Sequence, residues 1–97
     1  MSPIEFTWDD SKDKTNQKKH KVSFREAQTV FYDKNARLIY DPDHSIEENR
    51  FILLGLSSIL HILLVCHCYQ KNDTIIRIIS ARKATKKEQN QYKENLP

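Results

Sequence analysis

A single glycine, Gly55, in 97 residues excludes more than any residue present implies. A phosphate-cradling loop or the nucleophile elbow of an α/β-hydrolase needs several glycines in a short stretch, so neither can be built here. No zinc-protease helix motif occurs either, and with these gone most nucleotide-binding and hydrolase families fall away. Cysteine is nearly as scarce. Cys66 and Cys68 are too few and too close for a secreted disulfide framework, and read as free thiols in a reducing compartment. The longest apolar run, Ile59 to Cys68, is interrupted by His61 and His67 and reaches only about half a membrane span. The opening MSPIEFTWDD has no apolar core of a signal peptide. The expectation is a cytoplasmic protein without membrane contact. With three prolines and 38% apolar residues the chain is polar, yet it lacks a disordered or collagen-like composition.

What is there fits a single domain over residues 1–97, with a small core because a chain this short buries only about two-thirds of its unfolded surface. The net charge of +3 is modest, but its distribution is not. Residues 12–25 carry Lys12, Lys14, Lys18, Lys19, Lys21 and Arg25 against Asp13 alone. Residues 77–93 carry Arg77, Arg82, Lys83, Lys86, Lys87 and Lys93 against Glu88 alone. Twelve of the sixteen cations thus lie in two distant segments. Brought together they make a face for polyanions; kept apart they are two solvated helix surfaces.

Ile4, Phe6 and Trp8 alternate with polar residues, which predicts a short edge strand. Asp9 or Asp10 can cap a polar helix to about Lys19, and Ser23 with Glu26 forms a capping box for a helix over 23–31. Strands follow at Arg37–Asp41, Arg50–Leu56, Ile59 or Leu60 to Tyr69, and Thr74–Ala81, joined by short turns as an antiparallel meander. The last two are nearly apolar throughout, which suits central strands covered on both faces. Thr85 and Glu88 form a second capping box that opens a polar helix ending before Asn95.

Several groups carry candidate chemistry. Cys66, His67 and Cys68 look like metal ligands, but a strand sends the cysteines to one face and the histidines to the other, so no metal and no other cofactor is expected. His20 lies among Lys18, Lys19 and Lys21, where a neutral imidazole can take a proton from a ribose 2′-hydroxyl; the alternative is a surface histidine ending a helix. Arg77 and Arg82 differ in parity, so a regular strand would point them to opposite faces. Arg77 reads as a structural ion pair and Arg82, at the strand-to-helix junction, as a phosphate ligand. Glu88 and Tyr92 are four apart on one helix face and could share a site, although Glu88 is also explained as a cap.

Phe6, Trp8, Asp9, Lys12, Asn16, Lys19 and His20 open the chain; Val22, Ser23, Phe24, Ala27, Val30 and Phe31 follow, then Asp41, Pro42, His44, Ser45, Glu48, Arg50 and Gly55, and finally Arg77 to Thr85 with Glu88 and Tyr92. Over nearly its whole length this pattern resembles the BrnT toxins of bacterial type II toxin–antitoxin pairs. The resemblance implies an α+β, RelE-like fold, a compact antiparallel sheet flanked by helices in the order β-α-α-β-β-β-β-α, which matches the element order read from the residues. It implies a ribonuclease that cuts RNA and arrests translation. It also implies a BrnA-like antitoxin, through which alone the pair would reach operator DNA, and leaves room for a dimer within the toxin–antitoxin complex. One departure is Gln70, where relatives with a similar strand end commonly carry arginine; the loss of a cation there is expected to weaken RNA cleavage or antitoxin contact.

For metal-independent cleavage the expected site is Arg50 and Arg82 holding the phosphate, His20 or Glu88 removing the proton, and Tyr92 or His67 supporting the leaving oxygen. Lys12, Lys19, Arg77 and Lys83 would bind RNA. The competing reading is a non-catalytic basic module that binds nucleic acid or a partner protein, with the basic helices as an antitoxin-docking surface.

Overall fold

The computed structural model describes residues 4–97. Its elements are β1 (Glu5–Thr7), α1 (Asp10–His20), α2 (Phe24–Thr29), a 3-10 turn at Val30–Tyr32, β2 (Arg37–Asp41), a second 3-10 turn at Pro42–His44, β3 (Arg50–Leu56), β4 (Ile62–Gln70), β5 (Ile75–Lys83) and α3 (Lys86–Glu94). The order is the one the sequence predicts, and β2 and β3 have the predicted bounds. The five strands form one sheet in the order β1-β5-β4-β3-β2. β2 to β5 are an antiparallel meander, as expected. The sheet as a whole is mixed rather than antiparallel, because β1 lies parallel to β5 with Phe6 opposite Ile76. Two helices intervene between β1 and the meander, so no hairpin forces the antiparallel sense.

One sheet face is sealed. Leu53, Leu63, Val65, Ile78 and Ala81 pack beneath Val22, Phe24, Ala27 and Val30, with Phe6, Trp8, Phe31 and Ala36 at the margin. Gly55 belongs to this face. A Cβ there would come within 2.8 Å of both Val30 and Ala36, so the chain's sole glycine marks where the 3-10 turn presses on β3. The other face is only partly covered, contrary to the expectation for β4 and β5. α3, through Tyr92, and the link before it, through Ala84, shield one end of it on Leu54, with Leu56, Ile62 and Leu64 alongside. The rest is open, and the candidate site lies there.

α1 has no apolar stripe; its residues are all polar or charged. Asp9 caps it, accepting from the Ser11 and Lys12 amides at 2.8 and 3.2 Å. What docks the helix is Asn16, nearly buried on the edge of β5 beyond the end of β1. Its side-chain amide donates to the Val22 and Ala81 carbonyls, both at 2.8 Å, and accepts from the Ala81 amide at 3.1 Å. It satisfies β5 where a neighbouring strand would have done so. Asp13 adds a second tie by accepting from the Phe24 amide at 2.9 Å.

β5 contains a bulge. Arg82 pairs with Leu64 and Ser80 with Cys66, but Ile78 pairs with His67 and Arg77 with Cys68, which leaves Ile79 as one extra residue. The slip changes the phase of the strand. Since Leu64, Cys66 and Cys68 share one face of β4, Arg77 and Arg82 share it too. A regular strand would have sent the two arginines to opposite faces, as expected from their parity; the extra residue puts them on one.

Candidate functional site

On the open face, cross-strand pairing stacks three rows: Asp41, Arg50, Cys68 and Arg77; Ile39, Ile52, Cys66 and Ser80; Arg37, Leu54, Leu64 and Arg82. A cavity of about 270 Å³ opens over this sheet, floored by Ile52, Leu64, Cys66 and Ile79 and rimmed by His20, Asp41, His44, Arg50 and Arg82. Residues 20, 50 and 82 therefore meet at one place. His20 arrives there because Asn16 holds α1 against β5. A shallower groove lined by Lys12, Thr15 and Lys19 continues from the cavity, sharing His20, Ile79 and Ser80 with it. The floor is apolar and its thiol inert: burial, opposed by the nearby Arg50 charge, pushes the Cys66 thiol up from its ordinary value.

The two cavity arginines are held differently. Arg82 makes a bidentate pair with Glu88, at 2.8 and 3.0 Å, and also donates to the Lys83 carbonyl at 3.3 Å. Glu88 meanwhile closes the capping box of α3, accepting from the Thr85 amide at 2.8 Å. Arg50 is looser: its nearest acid is Glu48 at 3.7 Å, which also faces Arg77 at 3.9 Å, and its Nε is buried without a hydrogen-bond partner. The sequence-based assignment of ion pair to Arg77 and free ligand to Arg82 is thus inverted in tightness, although Arg82 still lines the cavity.

Glu88 is a poor general base. The Arg82 hydrogen bond, aided by Thr85 and opposed by partial burial, holds its carboxyl at about 2. A carboxylate so acidic takes up a proton badly at neutral pH. The same shift gives a stability prediction. The folded value lies below the ordinary 4.5, so the pair stabilises the fold above that pH and loses its contribution as pH falls from there toward 2. With Arg82 partly exposed, screening leaves about 1 kcal/mol. Urea titrations should show Glu88→Gln less stable than the parent by that amount at pH 6, with the gap closed near pH 2. A gap independent of pH would contradict the ion pair.

Tyr92 does not join Glu88 in a shared site. Its hydroxyl donates to Asp33 at 2.6 Å, the same carboxyl oxygen that accepts the Leu56 amide at 2.8 Å, and the ring is buried against Leu54. Burial and the Asp33 hydrogen bond push the phenol up to about 12. Tyr92 is a clamp between α3 and β3. His67 is also displaced from its expected role. It lies on the sealed face, fully buried, its ring 4.8 Å from Phe31 and its Nδ1 3.0 Å from the Val65 carbonyl, and desolvation lowers its pKa. Lys83 is exposed and lines a separate groove with His61, Gln89 and Lys93, away from Arg82. Gln70 is exposed at the end of β4, on the same face as Cys66 and Cys68 but outside the cavity.

Two rim residues were not singled out for chemistry from sequence. Asp41 ends β2, and His44 follows in the 3-10 turn, its Nδ1 2.8 Å from Asp41 Oδ2. The Asp41-Pro42 step is the signal available, since proline favours the first position of such a turn and brings residues three apart together. Among the described residues no cluster of three or more His, Cys, Asp or Glu side chains is arranged to hold a metal ion. None of the described helices is long and apolar enough to cross a membrane.

The family model for the ribonuclease toxin BrnT of type II toxin–antitoxin systems matches residues 8–88. The chain belongs to the BrnT toxin family. Its membership makes it a ribonuclease toxin of a type II toxin–antitoxin system, a class that acts on RNA and is paired with an antitoxin. The crystal structure of the Brucella abortus ribonuclease toxin BrnT matches with a TM-score of 0.64 at 22% identity, covering 86% of this chain and 99% of that one. The likeness is one of overall fold. No curated protein matches the chain.

Proposed function

We propose that this single-domain chain is itself an active, metal-independent endoribonuclease, cutting RNA in the cavity rimmed by His20, Arg50 and Arg82 and so inhibiting translation. The observation that carries the reading is the meeting of these three residues, from three distant segments, over an apolar floor in a chain of a ribonuclease toxin family. The substrate's 2′-hydroxyl attacks the adjacent phosphorus. His20 takes its proton, and Arg50 and Arg82 stabilise the extra negative charge on the phosphorane. Lys12 and Lys19, in the adjoining groove, hold the strand on one side, and Arg77 adds charge at the far end of the same sheet face. Lys83, on another surface, is left out, and Glu88 positions Arg82 instead of acting as the base.

The antitoxin in this reading is BrnA-like. It neutralises the toxin in the cytoplasm by covering the cationic cavity and carries the operator DNA contacts for a complex that can hold two toxins. The test is incubation of the purified chain with RNA in EDTA. Fragments ending in 2′,3′-cyclic phosphate are expected. Retained RNA binding with a steep salt dependence and no fragments would replace the reading with the non-catalytic module.

A further inference from the structure

Cleavage by 2′-hydroxyl attack moves two protons, one off the nucleophile and one onto the departing 5′-oxygen, and the reading above names a group only for the first. We propose that His44, oriented by Asp41, is the general acid that protonates the leaving 5′-oxygen. The proposal rests on the ribonuclease reading and adds to it the second proton-transfer group.

The geometry is that of a histidine prepared for proton transfer. His44 Nδ1 lies 2.8 Å from Asp41 Oδ2, and the Asp41 carboxylate is only 12% exposed whereas the His44 side chain is 67% exposed. One end of the ring is therefore fixed and the other faces solvent and the cavity, where His44 stands on the rim with His20, Arg50 and Arg82. Among the described residues Nε2 has no hydrogen-bond partner. The turn beneath it is pinned. The Ser45 hydroxyl donates to the Asp41 carbonyl and accepts from the Arg50 amide at 2.9 Å, so the same loop that positions His44 also fixes the backbone of Arg50. Asp41 is itself opposite Arg50 in the β2–β3 register, which places the residue that orients His44 beside a phosphate-binding cation on the adjacent strand.

The step balances. The 2′-oxygen forms its bond to phosphorus as His20 takes the 2′ proton. The bond from phosphorus to O5′ then breaks, its electron pair goes to O5′, and the Nε2 proton of doubly protonated His44 passes to that oxygen. His44 is left as the tautomer with hydrogen on Nδ1, the form that donates to Asp41. Before and after transfer Nδ1 stays hydrogen-bonded to the same carboxylate. Asp41 is thus a positioning residue for both states of the ring, and His44 is the group that touches substrate.

A leaving-group test separates this role from the others. An RNA oligonucleotide would be compared with its counterpart carrying sulfur in place of the 5′-bridging oxygen at the cleaved linkage, since a thiolate departs without a proton. His44→Ala should slow cleavage of the oxygen substrate about 100-fold, yet leave the sulfur substrate within about threefold of the parent enzyme. His20→Ala should slow both. Asp41→Asn should reproduce the selectivity of His44→Ala in weaker form, a pattern that merely loosening the loop would not give. Equal slowing of both substrates by His44→Ala, or no slowing of either, would overturn the assignment while leaving the ribonuclease reading intact. Failure of the parent enzyme to cut either substrate would overturn both.

Discussion

Replacing Arg82 with alanine should lower single-turnover RNA cleavage by about 2 to 4 kcal/mol of transition-state stabilisation, on the order of 30- to 1000-fold, with the fold intact. Two effects add. In the proposed mechanism the guanidinium that would meet the phosphorane is gone, and Glu88, whose carboxylate was satisfied by a two-pronged contact, is left as an unpaired anion beside the proposed phosphate site. The double variant Arg82→Ala/Glu88→Ala should therefore cut faster than the single one, because it removes the stranded charge. Arg82→Lys should fall between, keeping a cation while losing the planar fork. Melting curves would establish that each variant folds. A folded Arg82→Ala enzyme cutting within threefold of the parent would remove Arg82 from the site.

Asn16→Leu should be the most destabilising exchange on α1, costing about 2 to 4 kcal/mol, which for a domain of this size lowers the melting temperature on the order of 10 to 20 °C. The leucine fills the space but strands the Ala81 amide and carbonyl and the Val22 carbonyl. α1 offers no apolar stripe in compensation. Because His20 reaches the cavity only through this docking, residual activity at a temperature where the protein is still folded should fall as well. A urea midpoint giving less than about 0.5 kcal/mol of change would mean that Asp13 and the helix cap hold α1 unaided.

The elements themselves were legible because they depend on local rules. Asp9, Ser23 and Thr85 each cap the helix their sequence context announces, and turn residues bound β2 and β3 correctly. What was illegible depends on contacts between distant segments. The parallel pairing of β1 with β5 leaves no mark on either strand. Helical spacing put Glu88 and Tyr92 on one face, but could not show that Arg82 waits beneath the first turn and Asp33 beneath the second. Arg50 and His20 were legible as charged or ionisable residues, whereas Asp41 read as a strand end and His44 entered only as part of the family pattern, neither with a chemical role. Their pairing needs the 3-10 turn, of which Pro42 is the one mark in the sequence.

Ile79 has a consequence reaching past the strand that contains it. Inserted or removed residues are commonly tolerated in turns, yet within Arg77–Arg82 the count itself decides which face each side chain takes: deleting one would rotate a guanidinium from the cavity face into the greasy interior under α2, or lift Ala81 out of it. For the sheet face that Arg77 and Arg82 share, the number of residues between them therefore matters more than which hydrophobic residues separate them.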